Sequence, residues 1–137
     1  MDAGIHAFKG IRYGADTSVR RFLAPIVPVP WTDVRDATTF GPIAPQPTGN
    51  REWILGEDCL HLNVWTPALA AGASNAGRRP VLVWFHPGAF SSDTSNHPEM
   101  DGARLARRGD VVVVTVNHRL NASFERFGMP ARLEESA

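Results

Sequence analysis

Pro80-Val-Leu-Val-Trp-Phe-His-Pro-Gly-Ala-Phe90 decides how this chain is read, because a solid apolar run ends there abruptly in a small-residue loop. Val81 to Phe85 carry no charge and do not alternate with polar residues, which predicts a strand buried on both faces. His86-Pro87-Gly88-Ala89-Phe90 then turns the chain where that strand emerges from a sheet. Small residues at such a turn let backbone N–H groups approach a negative oxygen closely. By itself the stretch reads first as a strand and an ordinary turn, since short motifs often misfire. Its surroundings change that.

Downstream, Met100 to Arg108 suits a short helix. Met100, Ala103 and Ala106 share a face, with Leu105 beside it. Asp101 lies near the start, Arg107 and Arg108 in the last turn, and Gly109 just beyond, as the helix dipole and C-cap preferences ask. Val111-Val-Val-Val-Thr-Val-Asn117 is a second apolar strand. Strand, helix and strand over about 37 residues make a βαβ unit, expected to be parallel and right-handed. Sites in open parallel sheets gather at the carboxyl ends of the strands, where both His86 and Asn117 fall.

Upstream, the chain is rich in Pro and Gly and reads as short strands on irregular connections. Ile5 to Tyr13 predicts an opening strand or hairpin interrupted at Gly10. Pro25 to Pro30, with three prolines, is extended and outside any central strand. Cys59 to Trp65 alternates, with Leu60, Leu62 and Val64 on one face and His61, Asn63 and Trp65 on the other. Leu69 to Gly77 is an Ala/Gly/Ser/Asn-rich surface connection.

Composition narrows the class. The 137 residues amount to about one domain, with zero formal net charge, which gives no reason to expect nucleic acid or a membrane surface as partner. The pairs Arg20-Arg21, Arg78-Arg79 and Arg107-Arg108 are scattered and read as solvated surface. A single cysteine, Cys59, excludes an internal disulfide and a multi-cysteine zinc site. His6, His61, His97 and His118 have no metal-ligand spacing, so no metal or cofactor is expected. No apolar stretch approaches transmembrane length and Met1-Asp2-Ala3-Gly4 opens no signal peptide, so a cytoplasmic location is the default expectation.

A series of segments resembles the N-terminal part of the type B carboxylesterases, the α/β-hydrolase group that includes cholinesterases and para-nitrobenzyl esterases. They are Phe8-Lys-Gly-Ile-Arg-Tyr13, Arg21-Phe22, Trp31 with Val34-Arg-Asp-Ala-Thr38, and Phe40-Gly-Pro-Ile-Ala-Pro-Gln46, followed by Glu57-Asp-Cys-Leu-His-Leu-Asn-Val-Trp65, Val81-Leu-Val-Trp-Phe-His86 and Val111-Val-Val-Val-Thr-Val-Asn-His-Arg-Leu120. The resemblance implies an α/β fold: short antiparallel strands, then a parallel βαβ unit, in an incomplete sheet. It spans residues 1–122 and leaves 123–137 as a tail outside the family pattern, disordered or frameshifted. It assigns the oxyanion-hole amides to Gly88 and Ala89, and a structural place to His86. Pro87 and Asp93 stand where the family carries glycine. Pro87 cannot donate an N–H, but the donors are the next two residues. The Asp93 carboxylate is expected to point outward, since a charge is rarely buried unpaired. The resemblance also implies an ion pair between Arg21 and Glu57. Cys59 matches a cysteine that is disulfide-bonded in cholinesterases, but no upstream partner is present, which leaves a buried free thiol.

Esterases of this type need a Gly-x-Ser-x-Gly serine, a carboxylate and a histidine, in that order. The sequence contains no such elbow; Gly72-Ala-Ser74-Asn-Ala-Gly77 has the wrong spacing. Asn121-Ala-Ser123 is formally a glycosylation sequon. The leading expectation is therefore a fragment of a serine carboxylic-ester hydrolase. It would act on small carboxylic esters only within a longer polypeptide, would be inactive alone, and would be prone to self-association. The alternatives are a non-catalytic cholinesterase-like binding protein and a non-functional gene fragment.

Overall fold

The computed structural model describes residues 4–49, 51–69 and 79–121. They form a mixed sheet of β1 (His6–Arg12), β2 (His61–Thr66), β3 (Val81–Phe85) and β4 (Val112–Val116), with the helix α1 (Ala103–Gly109) between β3 and β4. The strand order is β1-β2-β4-β3. β2 runs antiparallel to both β1 and β4, whereas β3 and β4 are parallel from Val81↔Val112 to Phe85↔Val116. The expected strand–helix–strand unit is present, and its parallel register brings the carboxyl ends of β3 and β4 side by side. The tail expected at 123–137 and nearly all of the Leu69–Gly77 connection, Ser74 included, lie outside the described residues.

Gly10 does interrupt β1. The β1–β2 register shifts between Phe8 and Ile11, the mark of a bulge. Gly10 has φ +66°, and a Cβ there would lie 2.5 Å from the Thr39 carbonyl oxygen. Its N–H donates to Asn63 Oδ1 at 3.0 Å. Only glycine satisfies both constraints.

β2 alternates as its sequence suggests, but the polar-looking set is the inner one. His61, Asn63 and Trp65 are buried, while Leu62 and Val64 are half-buried. Cross-strand pairing sets Trp65 beside Val113 and Asn63 beside Thr115, and Ala103 and Ala106 of α1 pack on Trp65 and Val113. Gly102 permits that approach: a Cβ there would sit 2.7 Å from Val113 Cγ1 and 2.9 Å from Trp65 Cε3. The helix is shorter than the span read from the sequence, because Pro98–Met100 forms a separate 3-10 turn and Asp101 Oδ1 then accepts from the Ala103 N–H at 2.8 Å. It also ends one residue later. Asp110, not Gly109, takes the left-handed position at φ +47°, and its carboxylate pairs with Arg79 Nε at 2.8 Å.

The expectation that Val81–Phe85 is buried on both faces is wrong for this chain. All five residues are exposed, from Leu82 at 38% to Phe85 at 63%. β3 is an edge strand, and α1 packs over β2 and β4. A groove of about 420 Å³ separates Leu82 and Trp84 from Met100 and Leu105. On the opposite face the register aligns Val81, Val83 and Phe85 with the half-buried Val112, Val114, Leu62 and Val64, an apolar surface turned away from the described helix. Among the described residues, no helix is long and apolar enough to cross a membrane.

The opening segment is tied down by charge. Arg12 grips Asp58 with both guanidinium nitrogens at 2.5 Å, and the Arg12 pKa is raised by that hydrogen bond. Arg21 Nε lies 3.1 Å from Glu57 Oε1, with the arginine more than half exposed. A pair so exposed contributes about 0.2–1 kcal/mol, while the two-pronged Arg12–Asp58 contact is the stronger anchor.

Candidate functional site at the ends of strands β3 and β4

The parallel pair delivers two loops to one rim of the sheet. After β4, Asn117 is buried and its amide fastens the other loop. Its Oδ1 accepts from Thr94 Oγ1 at 2.9 Å and from the Ser95 N–H at 2.8 Å, and its Nδ2 donates to Asn96 Oδ1 at 3.0 Å. Asn63 continues this buried lattice, its Nδ2 donating to Ser95 Oγ and Thr115 Oγ1, each at 3.2 Å. Residues 94–96 thus stay at the rim without a helix or strand of their own.

The loop after β3 is strained. Gly88, Ala89 and Phe90 take φ +107°, +52° and +60° in succession, the last two outside the range non-glycine residues prefer. A tight turn holds this shape, in which the Gly88 carbonyl accepts from the Ser91 and Ser92 N–H groups at 2.9 and 3.2 Å and from Ser91 Oγ at 2.9 Å. The Phe90 carbonyl accepts from the Asn121 N–H at 2.8 Å, linking the two loops. The turn uses the carbonyl of Gly88 and leaves the amides of Gly88 and Ala89 without a partner among the described residues. Ala89 is exposed and Gly88 half-buried.

His86 is buried, and its Nδ1–H donates to the Pro87 carbonyl at 2.8 Å. Its ring stacks on His118 with centroids 4.3 Å apart and planes 12° apart. Asp93 keeps the left-handed geometry of a glycine position, φ +79°, and accommodates its side chain locally: Oδ1 accepts from the Thr94 N–H at 2.7 Å. Gln46 clamps the Asp93 backbone from both sides, its Oε1 accepting from the Asp93 N–H at 2.5 Å and its Nε2 donating to the Asp93 carbonyl at 2.9 Å. Asp93→Gly is expected to raise stability by about 1 kcal/mol through relief of the left-handed strain, less whatever the carboxylate–Thr94 contact contributes. A rise in the urea midpoint checks it; a fall would show that this contact outweighs the strain.

Cys59 is a buried free thiol whose pKa burial pushes up to about 12, so it is no nucleophile at neutral pH. Among the described residues, no group of three His, Cys, Asp or Glu is placed to hold a metal ion. His61 and His118 are both held neutral by burial, His118 down to about 4. The unfolded chain therefore binds more protons in acid. The stability these two groups contribute should be full above the ordinary histidine range of about 6.5 and fall as pH drops toward 4, which urea midpoints across that range check.

The Carboxylesterase family pattern matches residues 1–124. The chain belongs to the carboxylesterase family. It is 40% identical over 124 residues to para-nitrobenzyl esterase of Bacillus subtilis, an alignment covering 85% of this chain and 24% of that protein. It is also 40% identical over 131 residues to phenmedipham hydrolase of Pseudarthrobacter oxydans, covering 88% of this chain and 25% of that one. A crystal structure of a carboxylesterase from Geobacillus stearothermophilus superposes with a TM-score of 0.75 at 43% identity, covering 88% of this chain and 24% of the other. The sheet and helix are accordingly part of an α/β-hydrolase fold, and the chain spans about a quarter of the length of these relatives.

Proposed function

We propose that this chain supplies the oxyanion-hole loop of a serine carboxylic-ester hydrolase, with Gly88 and Ala89 as the donors. The supporting observation is the pair of successive amides without partners among the described residues, on a strained turn at the carboxyl ends of parallel strands. When a serine hydroxyl adds to an ester carbonyl, negative charge gathers on the carbonyl oxygen. Two N–H groups already fixed at that oxygen stabilise the charge without reorganising, and each such donor is typically worth about 10²–10³ in rate. The serine, its acid and its histidine are assigned to further polypeptide, because the sequence holds no Gly-x-Ser-x-Gly elbow.

The reading makes the isolated 137 residues catalytically silent. p-Nitrophenyl acetate should be hydrolysed no faster than background, and a serine-directed phosphonate should change nothing. Turnover abolished by the phosphonate would reveal a nucleophile within this chain and overturn the assignment.

Self-association belongs to the same proposal. Residues 81–85 form an apolar edge without a charge or an internal proline, the kind of edge natural sheets avoid exposing. The chain should sediment as concentration-dependent oligomers, and Val83→Lys should shift it to monomer. A monodisperse monomer of the unaltered sequence would refute this.

A further inference from the structure

We propose that His118 is a positioning residue for the Gly88–Ala89 turn, its imidazole holding the two ends of residues 86–90 together. The inference rests on the oxyanion-hole reading for its purpose but on separate geometry for its substance. His118 is the second residue beyond β4, immediately after the Asn117 anchor. One flat side of its ring stacks on His86 at 4.3 Å. Phe90 meets it edge-on at 5.9 Å and 67°, and Phe85 does so at 6.4 Å and 62°. His86 and Phe90 bracket the two donor amides. One ring thus contacts the residues on both sides of a turn whose backbone angles at Ala89 and Phe90 need external support.

A histidine does this conditionally. Neutral, it packs as an aromatic plate; protonated, it sets a positive charge against a second imidazole stacked on it at 4.3 Å. His86 on the facing loop is a titratable group in contact, and the Val116 backbone hydrogen-bonds the ring. Phe85 and Phe90 carry no charge. Arg119, on the same segment, donates to the Leu23 carbonyl, and the Tyr13 hydroxyl donates to the Asn117 carbonyl. Burial first, and the His86 neighbour second, hold His118 neutral down to about 4. The turn should therefore be braced at neutral pH and released in acid.

The test is amide NMR of the full chain between pH 7 and 3.5, in the Val83→Lys background if the unaltered sequence oligomerises. The Gly88, Ala89 and Phe90 amides should shift together with a midpoint near 4, while those of Val112–Val114 hold still. His118→Phe keeps the plate without the proton and should remove the joint step near 4 from these loop signals. His118→Ala should displace them, and speed their exchange, already at pH 7. Loop signals titrating in His118→Phe as in the parent, or unmoved in His118→Ala at pH 7, would overturn the proposal. The comparison at pH 7 decides even if acid unfolds the chain. None of these readouts requires the amides to bind an oxyanion, so this inference and the functional reading can fail separately.

Discussion

Gly88→Ala is expected to break the loop after β3 open. At φ +107° an L side chain is strained wherever it sits, and here the added Cβ would lie 2.1 Å from the Ser92 carbonyl oxygen and 2.7 Å from its carbon. Both neighbours are backbone, so neither can swing aside. The turn from Gly88 to Ser92, closed by two N–H donors on one carbonyl, must come apart. Backbone strain and overpacking together put the cost at about 3 kcal/mol in the closed loop. Opening the turn removes that strain and displaces the Gly88 and Ala89 amides. Gly49→Ala is the control. Gly49 also has positive φ, +60°, but nothing lies within 4 Å of a Cβ there, so the cost should stay near 1 kcal/mol. Urea unfolding with loop-amide spectra distinguishes the two. Equal effects would mean that the Gly88 turn is not closed as described.

Asn117→Ala is expected to unfold the rim more completely. The side chain makes three hydrogen bonds, to Thr94, Ser95 and Asn96, whose residues are 1–5% exposed. Truncation leaves the Ser95 N–H and the Thr94 hydroxyl proton buried without an acceptor, and the Asn96 carboxamide oxygen with only Ser95 Oγ at 3.4 Å. Each such group costs about 1–3 kcal/mol, and water entering the space left behind recovers part of it. A loss of about 3–5 kcal/mol follows, comparable with the whole stability of a marginal domain. Asn117→Asp does not rescue it, because a carboxylate cannot donate to Asn96 Oδ1. A drop below 1 kcal/mol in either variant would show that residues 94–96 are held by something else.

These two residues differ in how far the sequence foretold them. Singling out Gly88 itself came from the family resemblance, whereas the turn around it was legible because small residues follow an apolar run there. The strands Val81–Phe85 and Val112–Val116 were legible for the same reason, as was the break at Gly10. The strand order was not, since nothing local says that β4 inserts between β2 and β3. The inner face of β2 was misleading: hydropathy favours Leu62 and Val64, yet Asn63 goes inside because Gly10, Ser95 and Thr115 satisfy its amide. Burial of β3 was misjudged because an apolar run states what a strand can tolerate, and its cover depends on other segments. At the site, Gln46 and His118 carried no readable signal. Gln46 finds its Asp93 partner 47 positions along the chain, and His118 finds His86 only through the parallel register of β3 and β4.

The most direct measurement uses a chimera in which residues 1–121 replace the matching quarter of Bacillus subtilis para-nitrobenzyl esterase. The Ala89 amide is then exchanged for an ester by incorporating lactic acid, which deletes one N–H and keeps the methyl side chain. The account predicts an active chimera whose kcat falls about 10²–10³-fold on this exchange, with KM little changed. An unchanged kcat in an otherwise active chimera would contradict it.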